Sequence, residues 1–155
     1  MPDDQGARAR VSPPLVFVFA VLAGMALGQA MPNPTNVRRS FALVIAYGLA
    51  AIGLGLVFSA GVLFRRSGQN PIPWTPTPSL LFRGPYRFTR NPMYLGMALF
   101  HAGWGVWLDN LWVVLLVLPA LAIVHFTAVL PEETYLRAKF GEPYRAYLAA
   151  VRRYI

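Results

Sequence analysis

Four stretches of this chain, residues 13–31, 40–64, 92–108 and 111–130, contain no Asp, Glu, Lys or Arg at all. They are 19, 25, 17 and 20 residues long, close to the roughly 20 apolar residues an α-helix needs to cross a bilayer core. Inside lipid a backbone has no water to bond, so each stretch must satisfy its own N–H and C=O groups as a helix. The reading is therefore an all-α integral membrane protein with four transmembrane helices in a single 155-residue domain. A C-terminal amphipathic helical segment, residues 131–155, is expected on the cytosolic face. Composition agrees, with 56% of residues hydrophobic and only 13% charged. The chain has no cysteine, which excludes disulfides and thiolate metal ligands.

The connecting segments fix the orientation. Residues 1–12 read as a flexible terminus. Arg8 and Arg10 ahead of the first run also fit a signal peptide, but the run is long for one. Ala20, Gly24 and Gly28 fall four apart, the spacing that lets helices approach closely, within the molecule or between copies. Met31-Pro32-Asn33-Pro34 is a turn, and residues 65–91 form a long proline-rich loop in which Trp74 suits an interfacial anchor. Asp109-Asn110 is a tight turn that folds the third and fourth runs into a hairpin, with a kink expected at Pro119. Past Pro131, residues 132–140 read as a separate short helix stopped by Gly141. Glu142-Pro143 opens another, with Tyr144, Tyr147, Leu148 and Val151 on one face. Twelve of the fourteen basic residues lie in the N-terminus, the 65–91 loop and the C-terminal segment, against two (Arg38 and Arg39) between the first two runs. The positive-inside rule then puts both termini and the loop in the cytosol, with a prokaryotic cytoplasmic membrane as the expected setting. The net charge of +8 reports this orientation, and no nucleic-acid partner is expected.

The polar chemistry gathers at that face. Residues 83–96 crowd arginines, an asparagine, two prolines and the aromatics Tyr86, Phe88 and Tyr94 into the entrance of the third run. Asn91 is a good N-cap and Pro92 suits the first helical position. The hairpin forces this entrance beside the end of the fourth run, bringing Arg90-Asn91 near Glu132-Glu133. Adjacent carboxylates at a helix C-terminus oppose the dipole, unless they open the next helix. An arginine at an open helix N-terminus binds a carboxylate or phosphate. Paired carboxylates take an ammonium group or ribose hydroxyls, and aromatics stack a base or sit over a cation. S-adenosylmethionine needs all of these, and a nicotinamide dinucleotide shares several. Neither soluble nucleotide motif is present. The expectation is a nucleoside-sized pocket between the two motifs.

Gly84-Pro85-Tyr86-Arg87, then Arg90-Asn91-Pro92-Met93-Tyr94-Leu95-Gly96, then Glu132-Glu133 with Leu136, Phe140-Gly141, Tyr144, Tyr147, Val151 and Arg153 resemble the isoprenylcysteine carboxyl methyltransferase and phospholipid methyltransferase superfamily. The resemblance covers about the C-terminal half. It implies an integral-membrane enzyme that takes a methyl group from S-adenosylmethionine. It also implies that Arg90, Asn91, Pro92, Tyr94, Gly96, Glu132 and Glu133 contribute to the cofactor pocket, with Pro85, Tyr86, Tyr144 and Tyr147 beside them. The superfamily commonly has histidine where this chain has Asn91. Arg90, Glu133 and His125 are the candidates for the catalytic step.

Methyl transfer from a sulfonium asks mainly for positioning and desolvation. The acceptor is expected to be lipophilic and to enter from the bilayer: a prenylcysteine carboxylate, a phospholipid amine or a small hydrophobic molecule. His101 and His125 lie seven residues inward from Tyr94 and Glu132, placed to orient an acceptor or take a proton, or to bond between helices. Two histidines without cysteine make a poor metal site. Two other readings are an NADPH-dependent reductase of the sterol-reductase type and a non-enzymatic helix-packing membrane protein.

Overall fold

The computed structural model describes residues 11–68 and 77–155, so Trp74 and the first ten residues lie outside what is described here. All the regular elements among the described residues are helical. Helix α1 is Pro13–Ala30 and α2 is Arg39–Arg66. A 3₁₀ turn, Gly84–Arg87, precedes α3, Pro92–Trp107. Then come α4, Leu111–Leu115, and α5, Val117–Val124. A π-helical turn, His125–Val129, leads into α6, Leu130–Phe140, and α7, Glu142–Ala150, ends the series.

Among the described residues, three stretches are long and apolar enough to cross a membrane: Pro13–Ala30, Arg39–Arg66 and Leu111–Phe140. The expected count of four meets a shorter third run, because α3 has 16 residues, a rise of about 24 Å. The expected helix boundary at Pro131 is not observed. The helix runs through this proline, since the π turn lets Leu130 N–H reach back to the His125 carbonyl. That wider turn accommodates a residue with no N–H to give. Glu132 and Glu133 consequently sit in the first turn of α6, within the 30-residue apolar span Leu111–Phe140. Pro119 acts as expected. It cannot bond the Leu115 carbonyl, and the helix is interrupted at Leu116 between α4 and α5.

The helices pack up and down. Gly96 lies against Gly53 and Val57, while Gly103 lies against Ala46 and Ala50, so α3 runs antiparallel to α2. Gly24 faces Val113 and Gly28 faces Asn110, which runs α1 antiparallel to α4. The Ala20, Gly24 and Gly28 spacing is thus used, at its last two positions, inside the molecule. One end is closed by polar bonds across the two connections. Thr35 donates to the Asp109 carboxylate, Arg39 Nη1 to the Trp107 carbonyl at 2.8 Å and Trp112 Nε1 to the Met31 carbonyl at 2.8 Å. The two Thr35 bonds, with the Arg39 charge nearby, hold the Asp109 carboxyl below its ordinary value. Asp109 itself takes a φ of +50° to turn the hairpin. The opposite end gathers the close of α2, residues 77–91 and everything after Leu130.

The α2–α3 contact is the most extensive in the molecule and depends on absent side chains. A Cβ on Gly96 would lie 2.6 Å from the Gly53 carbonyl oxygen, whereas Gly48 on the same helix as Gly53 has nothing within 4 Å. Gly96→Ala is expected to lower stability by roughly 1–3 kcal/mol through overpacking. Gly48→Ala should be neutral or stabilising by up to about 1 kcal/mol through helix propensity. Thermal unfolding of the two variants in detergent checks the contrast.

Candidate active site

The entry to α3 and the start of α6 meet as the hairpin requires. Glu133 is buried (5% exposed) and its carboxylate is shared among three guanidiniums. Arg90 Nη1 lies 3.1 Å from Oε1. Arg153 forms a fork, Nε to Oε1 at 2.9 Å and Nη2 to Oε2 at 2.8 Å. Arg137, one turn along α6 and exposed, stands off at 3.8 Å. The carboxylates at positions 132 and 133 therefore do different things. Glu132 receives one long hydrogen bond, from Tyr94 Oη at 3.3 Å, and faces a cavity.

That cavity is lined by Phe64 from α2, Thr77, Ser79, Leu80 and Leu81, Tyr86, Arg90 and Asn91, Val129, Glu132, Glu133 and Leu136, and Tyr144 and Tyr147. It combines two carboxylates, a guanidinium and several aromatic rings, the groups the sequence places at this face. Its volume, about 60 Å³, is far below the expected nucleoside-sized pocket, since small-molecule sites run to about 300–1,000 Å³. The reason is visible in its walls. Residues 77–81 lie across it, with Thr77 N–H 3.4 Å from Tyr135 Oη. Tyr147 Oη also donates to the Tyr86 carbonyl at 2.7 Å, joining α7 to the 3₁₀ turn.

The phenols here stay protonated. Burial pushes Tyr147 up to about 12. Burial first and then the two glutamates raise Tyr144, and burial with Glu132 raises Tyr86 well above its usual value. Each remains a neutral hydrogen-bonding group at any physiological pH.

The other candidates, Asn91 apart, fall outside the cavity lining. Gly96 is in the α2–α3 contact. Pro92 is buried at the first turn of α3. Pro85 shapes the 3₁₀ turn, its carbonyl accepting from Phe88 and Thr89. Asn91 occupies the N-cap position without capping. Its Nδ2 instead donates to the Arg153 carbonyl at 3.0 Å. His125 Nδ1 is 2.9 Å from Tyr154 Oη, and His101 is 2% exposed with its ring edge-on to Phe17.

Thr89 was absent from the sequence-based site, and Arg153 entered it only through the family motif. Thr89 (4% exposed) donates through Oγ1 to the Arg153 carbonyl at 3.0 Å. Arg153 belongs to an extended terminal strap, and α7 stops at Ala150 so that Val151 starts it, not the helical face expected of Val151. Arg90 N–H bonds the Arg152 carbonyl at 3.0 Å. Nothing in helical periodicity reveals a strap, because the groups its carbonyls accept from are 62–64 residues away in sequence.

The molecule so described is an apolar helical membrane protein with an ion-paired polar site at one end. The family model for phospholipid methyltransferases matches residues 41–143, two thirds of the chain and nearly all of the α2-to-α6 frame. The chain belongs to this family of methyltransferases. It is also 38% identical over 63 residues to an uncharacterized protein of Haemophilus influenzae, an overlap that covers 41% of this chain and 100% of the relative.

Because Glu133 is a nearly buried charge with three partners, removing it strands the guanidiniums. Glu133→Ala is expected to destabilise by about 3–5 kcal/mol. Glu132→Ala, which loses one long bond, should cost less than about 1.5 kcal/mol. Parallel unfolding curves of the two variants in detergent check the difference.

Proposed function

We infer that this protein transfers a methyl group from S-adenosylmethionine to a lipophilic acceptor, with its site at the cytosolic face of the membrane. The observation that carries the reading is the convergence of Arg90 from the entry of α3 with Glu132 and Glu133 from α6. They meet around one aromatic-walled cavity in a chain of the phospholipid methyltransferase family. On this reading α3 is the fourth crossing, shielded along its length by α2. The charge distribution supports a cytosolic placing of both termini and the site, with a prokaryotic cytoplasmic membrane as the proposed setting.

The residues present fit the cofactor's chemistry. Arg90 Nε is buried with no hydrogen-bond partner, and so offers a donor for a carboxylate. Glu132, with one long bond, has lone pairs left for ribose hydroxyls or an ammonium group. Phe64, Tyr86 and Tyr147 supply ring faces for a base. When bound, the cofactor supplies a methyl already activated on a sulfonium. The chain's own part is to bind, to orient and to exclude water. Neutral tyrosines suit that task, because they add polarity without a competing negative charge. Residues 77–81, which line the cavity, must withdraw for a nucleoside to enter. His125 is assigned to holding Tyr154, and the acceptor class spans a prenylcysteine carboxylate, a phospholipid amine and a small hydrophobic molecule.

The test is ligand-dependent stability. S-adenosylhomocysteine at about 100 times its Kd should stabilise the detergent-solubilised protein by roughly 2.7 kcal/mol, read as a rise in Tm, and NADPH should not. Arg90→Ala should abolish the rise. A response to NADPH alone transfers the assignment to a reductase, and a response to neither favours a helix-packing protein.

A further inference from the structure

We propose that Arg153 is a positioning residue that keeps Glu133 from neutralising Arg90, so that Arg90 stays available for an anionic group. The inference rests on the methyl-transfer reading, with the cofactor's carboxylate as that group. Glu133 has two oxygens, and Arg153 takes both in a fork at 2.9 and 2.8 Å. Arg90 is left a single longer contact through Nη1 at 3.1 Å, while its buried Nε has no partner. Fork-to-fork pairing is the favoured geometry of guanidinium and carboxylate, and Arg153 is the residue that enjoys it. Three guanidiniums against one carboxylate leave a surplus of positive charge, and it is Arg90 that lines the cavity.

The strap is held so that this division persists. Its carbonyls accept from Thr89, Arg90 and Asn91, so Arg153 is anchored to the segment that carries Arg90. Tyr154 is tied in turn to His125 on the π turn. Arg90 also borders an open cleft of about 560 Å³ on the strap side. Without the Arg153 guanidinium, the freed carboxylate would turn onto Arg90 and occupy it with two parallel bonds.

The experiment compares two ligands by calorimetry on the full chain in detergent: S-adenosylhomocysteine, and 5′-methylthioadenosine, which lacks the amino-acid tail. The native protein should prefer the first. Arg153→Met should lose about tenfold or more of that preference, the scale of a charge-assisted bond, while its affinity for 5′-methylthioadenosine is unchanged. Adding Glu133→Gln to Arg153→Met should restore the preference, because the competing carboxylate is gone. A merely structural role would weaken both ligands together and would not be rescued by a second mutation. If thermal melting shows that Arg153→Met does not fold, Arg153→Lys with and without Glu133→Gln carries the same comparison, since a lysine cannot fork. Full preference in Arg153→Met, or no rescue by Glu133→Gln, overturns the proposal. Equal binding of the two ligands by the native protein overturns it too, while leaving the cofactor reading intact. No binding of either ligand removes the cofactor reading and this proposal with it.

Discussion

A single carboxylate holds the polar end of this molecule together. Glu133 is carried by α6, but its partners come from the entry of α3 through Arg90 and from the terminal strap through Arg153. A charge at this depth is tolerated only when paired and hydrogen-bonded, and the pairing recruits segments far apart in the chain. Once the carboxylate is placed, the rest of the site follows. The strap is drawn in beside residues 89–91, α7 is set with Tyr144 buried, and Tyr147 is brought against the 3₁₀ turn. Glu132 is left to face the cavity.

The apolar part of the fold supplies the rigidity that such a cluster needs. In lipid there is no hydrophobic drive between helices, so close packing has to replace it. The reciprocal contact of Gly53 and Gly96 lets the α2 and α3 backbones touch. Because α3 is short, its first turn stays in register with the polar cluster while its last turn meets the Asp109 corner. The bonds from Thr35, Arg39 and Trp112 then fix that far corner. The hairpin is clamped at both ends, by hydrogen bonds at one and by ion pairs at the other.

Much of this was legible in the sequence, for definite reasons. Absence of charge marks helices in a low-dielectric medium, and Asp109-Asn110 leaves room only for a tight turn, so the meeting of Arg90 with Glu133 follows from topology. Asn91, Gly96 and Val151 show where such reasoning stops. Asn91 has the composition of a cap, but a carbonyl of the strap competes for its amide. Gly96 sits within a binding motif, but what a glycine does depends on what lies opposite, here Gly53. Val151 continues the helical spacing of Tyr144 and Tyr147, yet the chain unwinds there because its carbonyl partners lie elsewhere. The size of the cavity is equally beyond one-dimensional pattern, since residues 77–81 close it through contacts with no period of their own.

The wide turn at His125–Val129 deserves a last consequence. Relative to regular α-helix it holds one surplus residue, and one residue corresponds to about 100° of rotation about the helix axis. Everything C-terminal to it, including both glutamates, is aimed by that surplus. Excising one residue there would straighten the helix and swing the carboxylates a quarter-turn or more away from Arg90, leaving every side chain of the cluster present and the cluster itself undone. The azimuth of the site is thus written in the length of a turn that contributes none of the site's charged side chains.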